Sequence, residues 1–387
     1  MKGRNKIRRR KKSPDEILKI IVSVIFGILI LFIALSSFNI TSLSGIKDGA
    51  KNFFYGFRRG SGYPYRINSS TVKSMGVLNG DLVILKDDCT VSLNGTAKEI
   101  KNEKHTYATP VMDIKGNRIL LYDRGGTRYR TETRTGIVHE GRLEDDEKII
   151  TAAMGKSDNM AFGTLSDSSM SRLTVISSNN KKKEFVWNCA DSVIDAVALS
   201  DNGKRVAAAT IGSKDGKPYS KVTVFDIKGG KPAVLELPGA TVLDMNFMSG
   251  DTLAIVCDEK FVVFRNLKES ETVEYGSSSL VDFDFANNGT AILVLSEYGS
   301  MNSQKMVCYG KNGKVTGEVR YSVPVKSLYV SGNRIAVLTR DSAITYNTKG
   351  KEIRKYRADN KAIAAYPVGS RTYIYEMGNI IKAQKKD

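Results

Sequence analysis

The sequence has few of the side chains that most enzymes use for acid–base or redox chemistry. Its 387 residues include two histidines, His105 and His139, and both lie in polar, loop-like surroundings. No HExxH motif, Walker-type loop or G-x-S-x-G elbow occurs. These absences exclude the common metalloprotease, P-loop and serine hydrolase signatures. They predict a protein that is not an enzyme and that holds no metal or cofactor.

Cysteine is also scarce, with four residues that lie far apart and form no CxxC pair. This spacing excludes a CxxC-type metal or redox site. Each cysteine falls in or beside an apolar segment, which is typical of a small buried hydrophobic residue. We therefore predict buried, unpaired thiols at Cys89, Cys189, Cys257 and Cys308, although spacing alone leaves a disulfide open.

Positive charge is abundant and unevenly distributed. The formal net charge is +18, and nine basic residues but only two acidic ones fall within the first 19 positions. The basic run RNKIRRRKK precedes IIVSVIFGILILFIAL (20–35), which contains no charged residue. The thirteen Val, Ile, Leu and Phe residues of that stretch favour insertion into a bilayer by roughly 4–8 kcal/mol. With its flanking residues the stretch reaches the ~20 residues that a bilayer requires.

This arrangement predicts a membrane anchor. We expect a basic cytoplasmic tail at residues 1–16 and a transmembrane helix at 17–38. The rest of the chain is then extracytoplasmic, because basic residues stay on the cytoplasmic side. The basic run is a topology signal, and we expect it to bind no nucleic acid. A cleaved signal peptide, with Ala34 and Ser36 near the cleavage site, is the alternative.

The sequence of residues 39–62 predicts a juxtamembrane amphipathic helix and a linker. Apolar residues recur at helical spacing between Leu43 and Phe57, with charged and amide residues between them. The apolar face suits either the outer lipid headgroups or the domain that follows. The segment RRGSG then provides a flexible joint.

From residue 71 onward one pattern of strands and turns recurs along the chain. An apolar strand leads through a Gly, Asn or Asp turn to a strongly apolar strand, then to a third strand and to a second turn that often carries Gly-Lys. The copies follow one another at intervals of 36 to 47 residues, as in NGDLVILK (79–86), SGDTLAIVC (249–257) and SGNRIAVLT (331–339). A period near 40–45 residues, built of strands and turns, is typical of a β-propeller blade. We predict that residues 63–387 form an all-β propeller of four-stranded blades.

The number of copies predicts eight blades, with seven as the alternative if the irregular third copy is not separate. The last copy has room for only three strands before Asp387. Residues 63–68 precede the first copy and have no partner within it. We therefore predict that this N-terminal strand completes the last blade and closes the ring, which also covers two exposed strand edges.

The run YPYRINSSTVKSMGVLNGDLVILKD, followed by YATPVMDIKGNRILLYDRGGTRYRTET, resembles an uncharacterised family of single-pass, propeller-like envelope proteins. That family belongs to clostridia-type Gram-positive bacteria and is a domain of unknown function. The likeness spans the anchor and the propeller, and LLYDRGGTRYR is its most specific part. The resemblance implies a single-pass membrane topology, a propeller-like fold and a Gram-positive host. It implies no activity and no functional residue.

The first strands of four copies contain an aspartate. In VMDI, VIDAV, VLDMN and LVDFD it falls at the same place, which gives Asp113, Asp195, Asp244 and Asp282. Because the innermost strands of a propeller line its central channel, we expect these carboxylates to ring a funnel. We interpret the ring as structural, with each Asp accepting hydrogen bonds from the backbone of a neighbouring blade. A site for a cation or a basic ligand is the alternative.

The hairpin YDRGGTRYRTETR (122–134) departs from the other copies. Its Gly-Gly turn leads into a strand whose charged side chains, Arg128 to Arg134, alternate onto one face, and we expect that face to be solvated. In the alternative, an anion-binding patch forms there from Tyr122, Arg124, Arg128, Tyr129 and Arg130. Fifty basic and 39 acidic residues follow position 19, a net charge of +11. This excess makes an anionic cell-wall polymer, anionic lipid or an acidic protein a matching partner.

The sequence therefore predicts a non-enzymatic, membrane-anchored, extracytoplasmic β-propeller that acts as a binding or scaffolding module in the cell envelope. Its expected partners are the membrane and an envelope protein or an anionic cell-wall polymer. The rival hypothesis is an envelope hydrolase or redox enzyme with its site in the central funnel, since propellers host both kinds of function. Quinone-binding propellers are rich in tryptophan, so the single Trp187 argues against that redox class.

Overall fold

The computed structural model describes residues 59–67, 71–144, 147–177, 182–297, 300 and 302–384. The predicted tail at 1–16, the predicted transmembrane helix at 17–38 and the juxtamembrane segment as far as residue 58 lie outside these residues. The regular elements of the described residues are 32 β-strands. No helix among the described residues is long and apolar enough to cross a membrane.

The strands form eight antiparallel sheets of four strands each, which we call blades 1 to 8 in chain order. Blade 1 contains β2 (Val72–Leu78), β3 (Asp81–Lys86), β4 (Cys89–Leu93) and β5 (Glu99–Lys104). Blade 2 contains β6 (Pro110–Lys115), β7 (Arg118–Asp123), β8 (Arg128–Thr133) and β9 (Gly136–Arg142). Blade 3 contains β10 (Lys148–Met154), β11 (Met160–Ser166), β12 (Ser169–Ile176) and β13 (Lys183–Cys189). Blade 4 contains β14 (Val193–Leu199), β15 (Arg205–Lys214), β16 (Lys217–Asp226) and β17 (Ala233–Pro238).

The second half of the ring repeats this pattern. Blade 5 contains β18 (Val242–Ser249), β19 (Thr252–Cys257), β20 (Lys260–Arg265) and β21 (Glu269–Glu274). Blade 6 contains β22 (Ser278–Phe285), β23 (Ala291–Glu297), β24 (Gln304–Tyr309) and β25 (Val315–Tyr321). Blade 7 contains β26 (Ser327–Ser331), β27 (Arg334–Leu338), β28 (Ser342–Asn347) and β29 (Glu352–Arg357). Blade 8 contains β30 (Ala362–Val368), β31 (Arg371–Glu376), β32 (Asn379–Lys382) and β1 (Tyr65–Arg66).

This architecture confirms the predicted propeller of eight four-stranded blades. The third copy forms a blade of its own, so the seven-blade alternative is wrong. In blade 8 the strand order is β1-β32-β31-β30, and β1 pairs antiparallel with β32 through Tyr65 opposite Ile380 and Arg66 opposite Asn379. First strands contact one another at most junctions between neighbouring blades, including that of β2 in blade 1 with β30 in blade 8.

The second strand of each blade is buried along half of its length or more. In β3 (DLVILK) and β19 (TLAIVC) every residue is buried, because each blade packs between two neighbours and both faces of the strand are covered. Apolar, β-branched sequence suits that position. The turn before β3 is Asn79-Gly80, with φ values of 52° and 81°, and two-residue hairpin turns require such positive values.

Apolar clusters fill the spaces between neighbouring blades. Between blades 4 and 5, for example, one cluster contains the buried side chains of Val222, Ile255 and Phe264. The contact between blades 1 and 2 differs, because the buried members of its apolar cluster are only Leu78, Val83 and Ile119. Charged side chains occupy much of that contact instead.

The four cysteines are buried and free, which confirms the prediction of unpaired thiols. Cys257 and Cys308 lie on the buried strands β19 and β24, and burial raises the pKa of each thiol to about 12. Such thiols stay protonated at neutral pH and pack as small apolar groups. The disulfide alternative is therefore wrong.

The antiparallel strand order gives the ring two distinct faces. The turns between first and second strands and between third and fourth strands lie at one end of every blade, which we call face 1. The turns between second and third strands and the connections from blade to blade lie at the other end, which we call face 2. At face 1, Arg371 Nη1 of blade 8 donates a hydrogen bond to the carbonyl oxygen of Gly95 of blade 1, at 3.2 Å.

Candidate binding site at the central channel

The first strands of the blades line two cavities at the centre of the ring. One has a volume of about 470 Å³ and is lined by blades 2 to 6. The other has a volume of about 660 Å³ and is lined by blades 1, 2, 6 and 7. Asp113 of β6 and Asp284 of β22 line both cavities, so the two cavities meet between strands that belong to opposite blades.

Two hydrogen bonds connect blades that are not neighbours in the ring. Lys115 Nζ of blade 2 donates to Asn246 Oδ1 of blade 5 at 2.8 Å. The backbone N–H of Val77 in blade 1 donates to Tyr329 Oη of blade 7 at 3.0 Å. The central channel is therefore narrow at both points.

Two of the predicted channel aspartates hold neighbouring blades together. Asp113 Oδ2 accepts a hydrogen bond from the backbone N–H of Met154 in blade 3, at 2.8 Å. Asp282 Oδ2 accepts one from the backbone N–H of Leu328 in blade 7, also at 2.8 Å. These are the bonds that the structural interpretation of the ring predicts, because they satisfy a half-buried carboxylate and a backbone donor at once.

Asp195 does not occupy the same place as the other aspartates, and that part of the prediction is wrong. In β14 the register shifts between Ile194 and Ala196, so Asp195 is the extra residue of a β-bulge. Asp244 and Asp282 each follow such a bulge by one residue. Asp195 is exposed and lines the smaller cavity, whereas Asp244 Oδ1 accepts from the backbone N–H of the next residue at 2.7 Å.

Sequence reasoning missed Asp284, which lies at the centre of the channel. Its Oδ2 accepts from the backbone N–H of Val330 in blade 7 at 2.6 Å, and its Oδ1 accepts from the N–H of Phe285 at 2.7 Å. The signal was present in the sequence LVDFDF, because residues two apart on a strand share a face. Asp282 and Asp284 therefore line the channel together.

Burial raises the pKa of the channel carboxyl groups. The pKa of Asp244 rises to about 6 and that of Asp284 to about 7, chiefly because burial disfavours the charged form. The charge of Asp113 adds to the rise at Asp244, and the charges of Asp282 and Asp244 add to the rise at Asp284. Burial also raises the pKa of Asp113. The channel is thus an acidic region whose charge depends on pH near neutrality.

The two histidines lie apart from these carboxyl groups. His105 is in the connection between blades 1 and 2, where its Nε2 lies 3.2 Å from the carbonyl oxygen of Lys86. His139 is on the outermost strand of blade 2, with its ring 6.1 Å from that of Tyr129. Throughout the residues with described positions, no group of three or more His, Cys, Asp or Glu side chains is arranged to hold a metal ion.

A ring of β-bulges surrounds the channel near face 2. Six of the eight first strands contain an extra residue close to their N-terminal ends, and we call these six residues the rim. They are Lys73, Ile150, Asp195, Leu243, Val281 and Ile363. Leu243, Val281 and Ile363 are 46%, 42% and 43% exposed. They lie on the first strands of blades 5, 6 and 8, at the face 2 end of the channel, where exposed aliphatic side chains favour a protein-binding surface.

The loops of face 2 around the rim are acidic. Their described residues include eleven Asp or Glu but only four Lys or Arg, namely Arg124, Lys326, Arg340 and Lys361. The acidic residues are Asp87, Asp88, Glu144, Glu147, Asp167, Asp191, Asp215, Asp258, Glu259, Asp341 and Asp359. Glu144 and Glu147 pair with Lys183 and Arg172, and the nine other acids still outnumber the four basic residues of these loops.

The charged face of β8 is buried from Arg130 onward, and the prediction that this part is solvated is wrong. Arg130, Glu132 and Arg134 are 2%, 0% and 9% exposed, because blade 1 covers them. Glu132 pairs with Lys101 of blade 1, and Arg130 Nε donates to Glu132 Oε1 at 2.6 Å. Arg134 Nη2 lies 2.7 Å from Asp81 Oδ2, also of blade 1. This network joins blades 1 and 2 where the apolar cluster is small.

The five residues of the predicted anion-binding patch lie in two places. Tyr122 and Arg124 line the smaller channel cavity. Arg128, Tyr129 and Arg130 line a cavity of about 300 Å³ between the outer strands of blades 1 and 2. Within it, Arg128 is half exposed and its guanidinium lies 5.2 Å from the centre of the Tyr107 ring. An anion-binding role for Arg128 remains a prediction.

Residues 63–383 match a family described as "Family of unknown function (DUF5711)". The chain belongs to this family. Among curated proteins, no relative matches the DUF5711 sequence. The family assignment confirms the expected domain of unknown function and covers the whole ring.

Solved structures with the same fold are distant in sequence from this DUF5711 protein. The C-terminal WD40 domain of Sif2 has a TM-score of 0.57 at 12% identity, covering 85% of this chain and 99% of that one. Sqt1 of Chaetomium thermophilum was solved bound to the N-terminus of ribosomal protein L10. It has a TM-score of 0.54 at 12% identity, and the match covers 85% of this chain and 100% of that one. BamB of Moraxella catarrhalis has a TM-score of 0.49 at 13% identity, covering 84% and 99%. At these identities the likeness shows a propeller fold and nothing more.

Replacing Glu132 by Gln in the DUF5711 protein should destabilise the whole ring. The change leaves the cations of Lys101 and Arg130 buried between blades 1 and 2 without their carboxylate, at a cost of about 3–5 kcal/mol. Urea unfolding measures the loss. Glu184→Gln is the control, because Glu184 is exposed on the outermost strand of blade 3, away from this network, and should change stability by less than about 0.5 kcal/mol. Equal stability of the two variants would contradict a stabilising role for the network.

Replacing Asp284 by Asn should make stability less dependent on pH. In the folded protein the pKa of Asp284 is about 7, whereas the pKa of an aspartate in the unfolded chain is about 4. Asp284 therefore favours folding most below about pH 4. The contribution is lost as pH rises through about 7. We expect the fall in melting temperature between acidic and neutral pH to be smaller in Asp284→Asn than in the natural protein. Asp258→Asn also removes a carboxylate that accepts two backbone bonds, but it lies in a turn of face 2 outside the channel and serves as the control. An equal reduction of the pH dependence in both variants would refute the assignment.

Proposed function

We propose that this protein is a membrane-anchored, extracytoplasmic β-propeller that binds a partner protein in the cell envelope and catalyses no reaction. The observation that carries the proposal is the surface at face 2, where the aliphatic rim is surrounded by acidic loops and opens on a channel lined by carboxyl groups. A surface of this kind is complementary to a chain segment with both apolar and basic side chains.

Each part of this surface has a separate effect on such a segment. Leu243, Val281 and Ile363 lose contact with water when an apolar side chain covers them, which favours binding. The acidic loops attract basic groups over a longer distance and raise the rate of association. Asp195, exposed within the rim, is placed to accept a hydrogen bond from a Lys or Arg of the partner.

The cavity of about 470 Å³, which Asp195 and Leu243 of the rim help to line, gives room for a few side chains below the rim. A partner segment therefore contacts the rim along its length and inserts single side chains into the channel. The Sqt1 propeller is bound to the N-terminus of another protein. A ring of this fold is thus compatible with the binding of one chain segment.

The proposed anchor is supported by the sequence of residues 1–38. The apolar segment 20–35 follows the basic run, and this order favours a cytoplasmic N-terminus and an extracytoplasmic ring. A partner protein at face 2 would then belong to the cell envelope, and an anionic cell-wall polymer is the other expected ligand of the ring.

An enzyme in the channel is the alternative, and Asp284 is the feature that favours it, since a carboxyl group with a pKa of about 7 suits general acid–base catalysis. However, both carboxyl oxygens of Asp284 already accept backbone hydrogen bonds, one of them from blade 7. This geometry supports a structural role for Asp284 over a catalytic one.

We also propose that the N-terminal segment fastens the ring. Its strand β1 pairs with β32 of blade 8, while Tyr65 Oη donates to Glu99 Oε1 of blade 1 at 2.8 Å. Tyr63 Oη donates to the carbonyl oxygen of Asn94, also in blade 1, at 3.2 Å. The Tyr63 ring packs 4.6 Å from that of Tyr373 in blade 8. One short segment thus joins the first blade to the last.

The combined change Asp195→Lys and Leu243→Ser should abolish binding at the rim. It reverses a charge and removes an apolar contact, so we expect about tenfold less partner protein after crosslinking in the native host and purification of the chain. Val234→Ser, at a residue 50% exposed on the outermost strand of blade 4, is the control. Equal recovery with both variants would contradict the rim as the binding site, and turnover by the purified protein would favour an enzyme.

Deleting residues 378–387 should destabilise the whole propeller, because it removes β32 and leaves β1 without its partner. We expect a loss of several kcal/mol of stability and a lower melting temperature. Deletion of residues 385–387, which follow β32, is the control. If the longer deletion melts like the shorter one, the N-terminal segment does not fasten the ring.

A further inference from the structure

The outer turns of face 1 carry a concentration of positive charge. The seven turns that join third to fourth strands contain nine exposed lysines, distributed over six blades, and their described residues include no Asp or Glu. Blades 6 and 7 alone contribute Lys311, Lys314, Lys349 and Lys351. Face 1 is therefore basic around its circumference, in contrast to the acidic loops of face 2.

The acidic residues of face 1 lie closer to the channel and are paired. They occur in the turns between first and second strands, and each one contacts a cation of a neighbouring blade. The pairs are Arg118–Asp158, Lys156–Asp201 and Arg205–Asp251. These acids neutralise the cations nearest the channel. The outer lysines, in contrast, have no carboxylate in their own turns.

The N-terminal segment enters the ring at the same face. The backbone N–H of Gly60 donates to Thr96 Oγ1 at 2.9 Å, and that of Gly62 donates to the carbonyl oxygen of Thr96 at 3.0 Å. Thr96 belongs to the outer turn of blade 1 that also carries Lys98. The first described residues of the chain therefore lie at the basic face.

We propose that face 1 lies against the anionic lipid headgroups of the bilayer that holds the anchor. The inference rests on the proposed membrane anchor, and it adds an orientation: face 1 points toward the lipid and face 2, with its rim, points away. Lysines near an anionic surface are attracted by its negative potential, and this attraction weakens with salt.

The distribution of the lysines favours a planar surface over a single soluble ligand. They lie on short turns around the circumference of the ring, so a flat array of charge can contact many of them at once. The aliphatic side chains of these turns, Ala97, Ile227 and Leu267, are buried or half buried, as expected for a face that binds headgroups without inserting into the membrane.

Fluorescence quenching tests the orientation on the full chain. A fluorophore is attached to Asn117→Cys on face 1 or to Met377→Cys on face 2, where Met377 is 82% exposed; the native thiols are buried and do not compete. The chain is reconstituted in nanodiscs of phosphatidylcholine, with or without phosphatidylglycerol, that contain spin-labelled headgroups. We expect about twofold stronger quenching at position 117 in the anionic discs, lost at high salt, and no change at position 377.

Charge reversal identifies the residues responsible. Lys349→Glu with Lys351→Glu, in the outer turn of blade 7, should lower the quenching at position 117 in anionic discs. Lys214→Glu with Lys217→Glu, which flank a turn of face 2, is the matched control and should leave it unchanged. Equal quenching in both lipids, or equal quenching at positions 117 and 377, overturns the orientation.

The outcomes separate this inference from the proposed anchor. A chain that does not co-elute with nanodiscs contradicts the anchor; binding of the same chain to added anionic discs but not to neutral ones would still support the lipid-binding face. Polyphosphate is the soluble probe. If polyphosphate binds through Lys349 and Lys351 while the anionic lipid has no effect, face 1 is a polyanion site and the lipid proposal is wrong.

Discussion

The whole ring depends on the burial of second and third strands between neighbouring blades. Strands such as β3 and β19 have no exposed residue, and each fully buried Val, Leu or Ile contributes about 1.5–3 kcal/mol. A blade alone would expose both faces of these strands, so no blade is expected to be stable without its neighbours. The first strands, held at the centre by this packing, then provide a rigid wall on which side chains of distant repeats meet.

The contact between blades 1 and 2 shows how the same architecture accepts a different chemistry. A buried network of Lys101, Arg130 and Glu132 replaces most of the apolar packing there. Buried ion pairs add little net stability compared with apolar side chains, but they tolerate few partners, since a mismatched charge is costly to bury. This contact therefore distinguishes its two blades from the six others, and its Arg130 comes from the LLYDRGGTRYR segment that departs most from the repeat.

The sequence was sufficient to predict the blade number and the buried cysteines, because both follow from a period and from local apolarity. It was not sufficient where one repeat contacts another. The alternation of charged and uncharged residues along β8 could not show whether Arg130 and Glu132 face water or blade 1. Their partner Lys101 lies in a different repeat. Asp195 was misplaced because a β-bulge adds one residue without a mark in the sequence. Asp284 could have been found from its spacing, because it lies two residues after Asp282 on the same strand and therefore on the same face.

The opposite charges of the two faces follow from topology more than from any single residue. Every turn between third and fourth strands lies on face 1, so a lysine that recurs in the second turn of successive repeats accumulates on one side of the ring. The acidic connections accumulate on the other side by the same rule. A ring with opposite charges on its faces has a preferred orientation in an electric field such as that of an anionic surface. One repeated turn can therefore orient a propeller, and in the orientation that we propose the six bulges of the rim lie on the side away from the lipid.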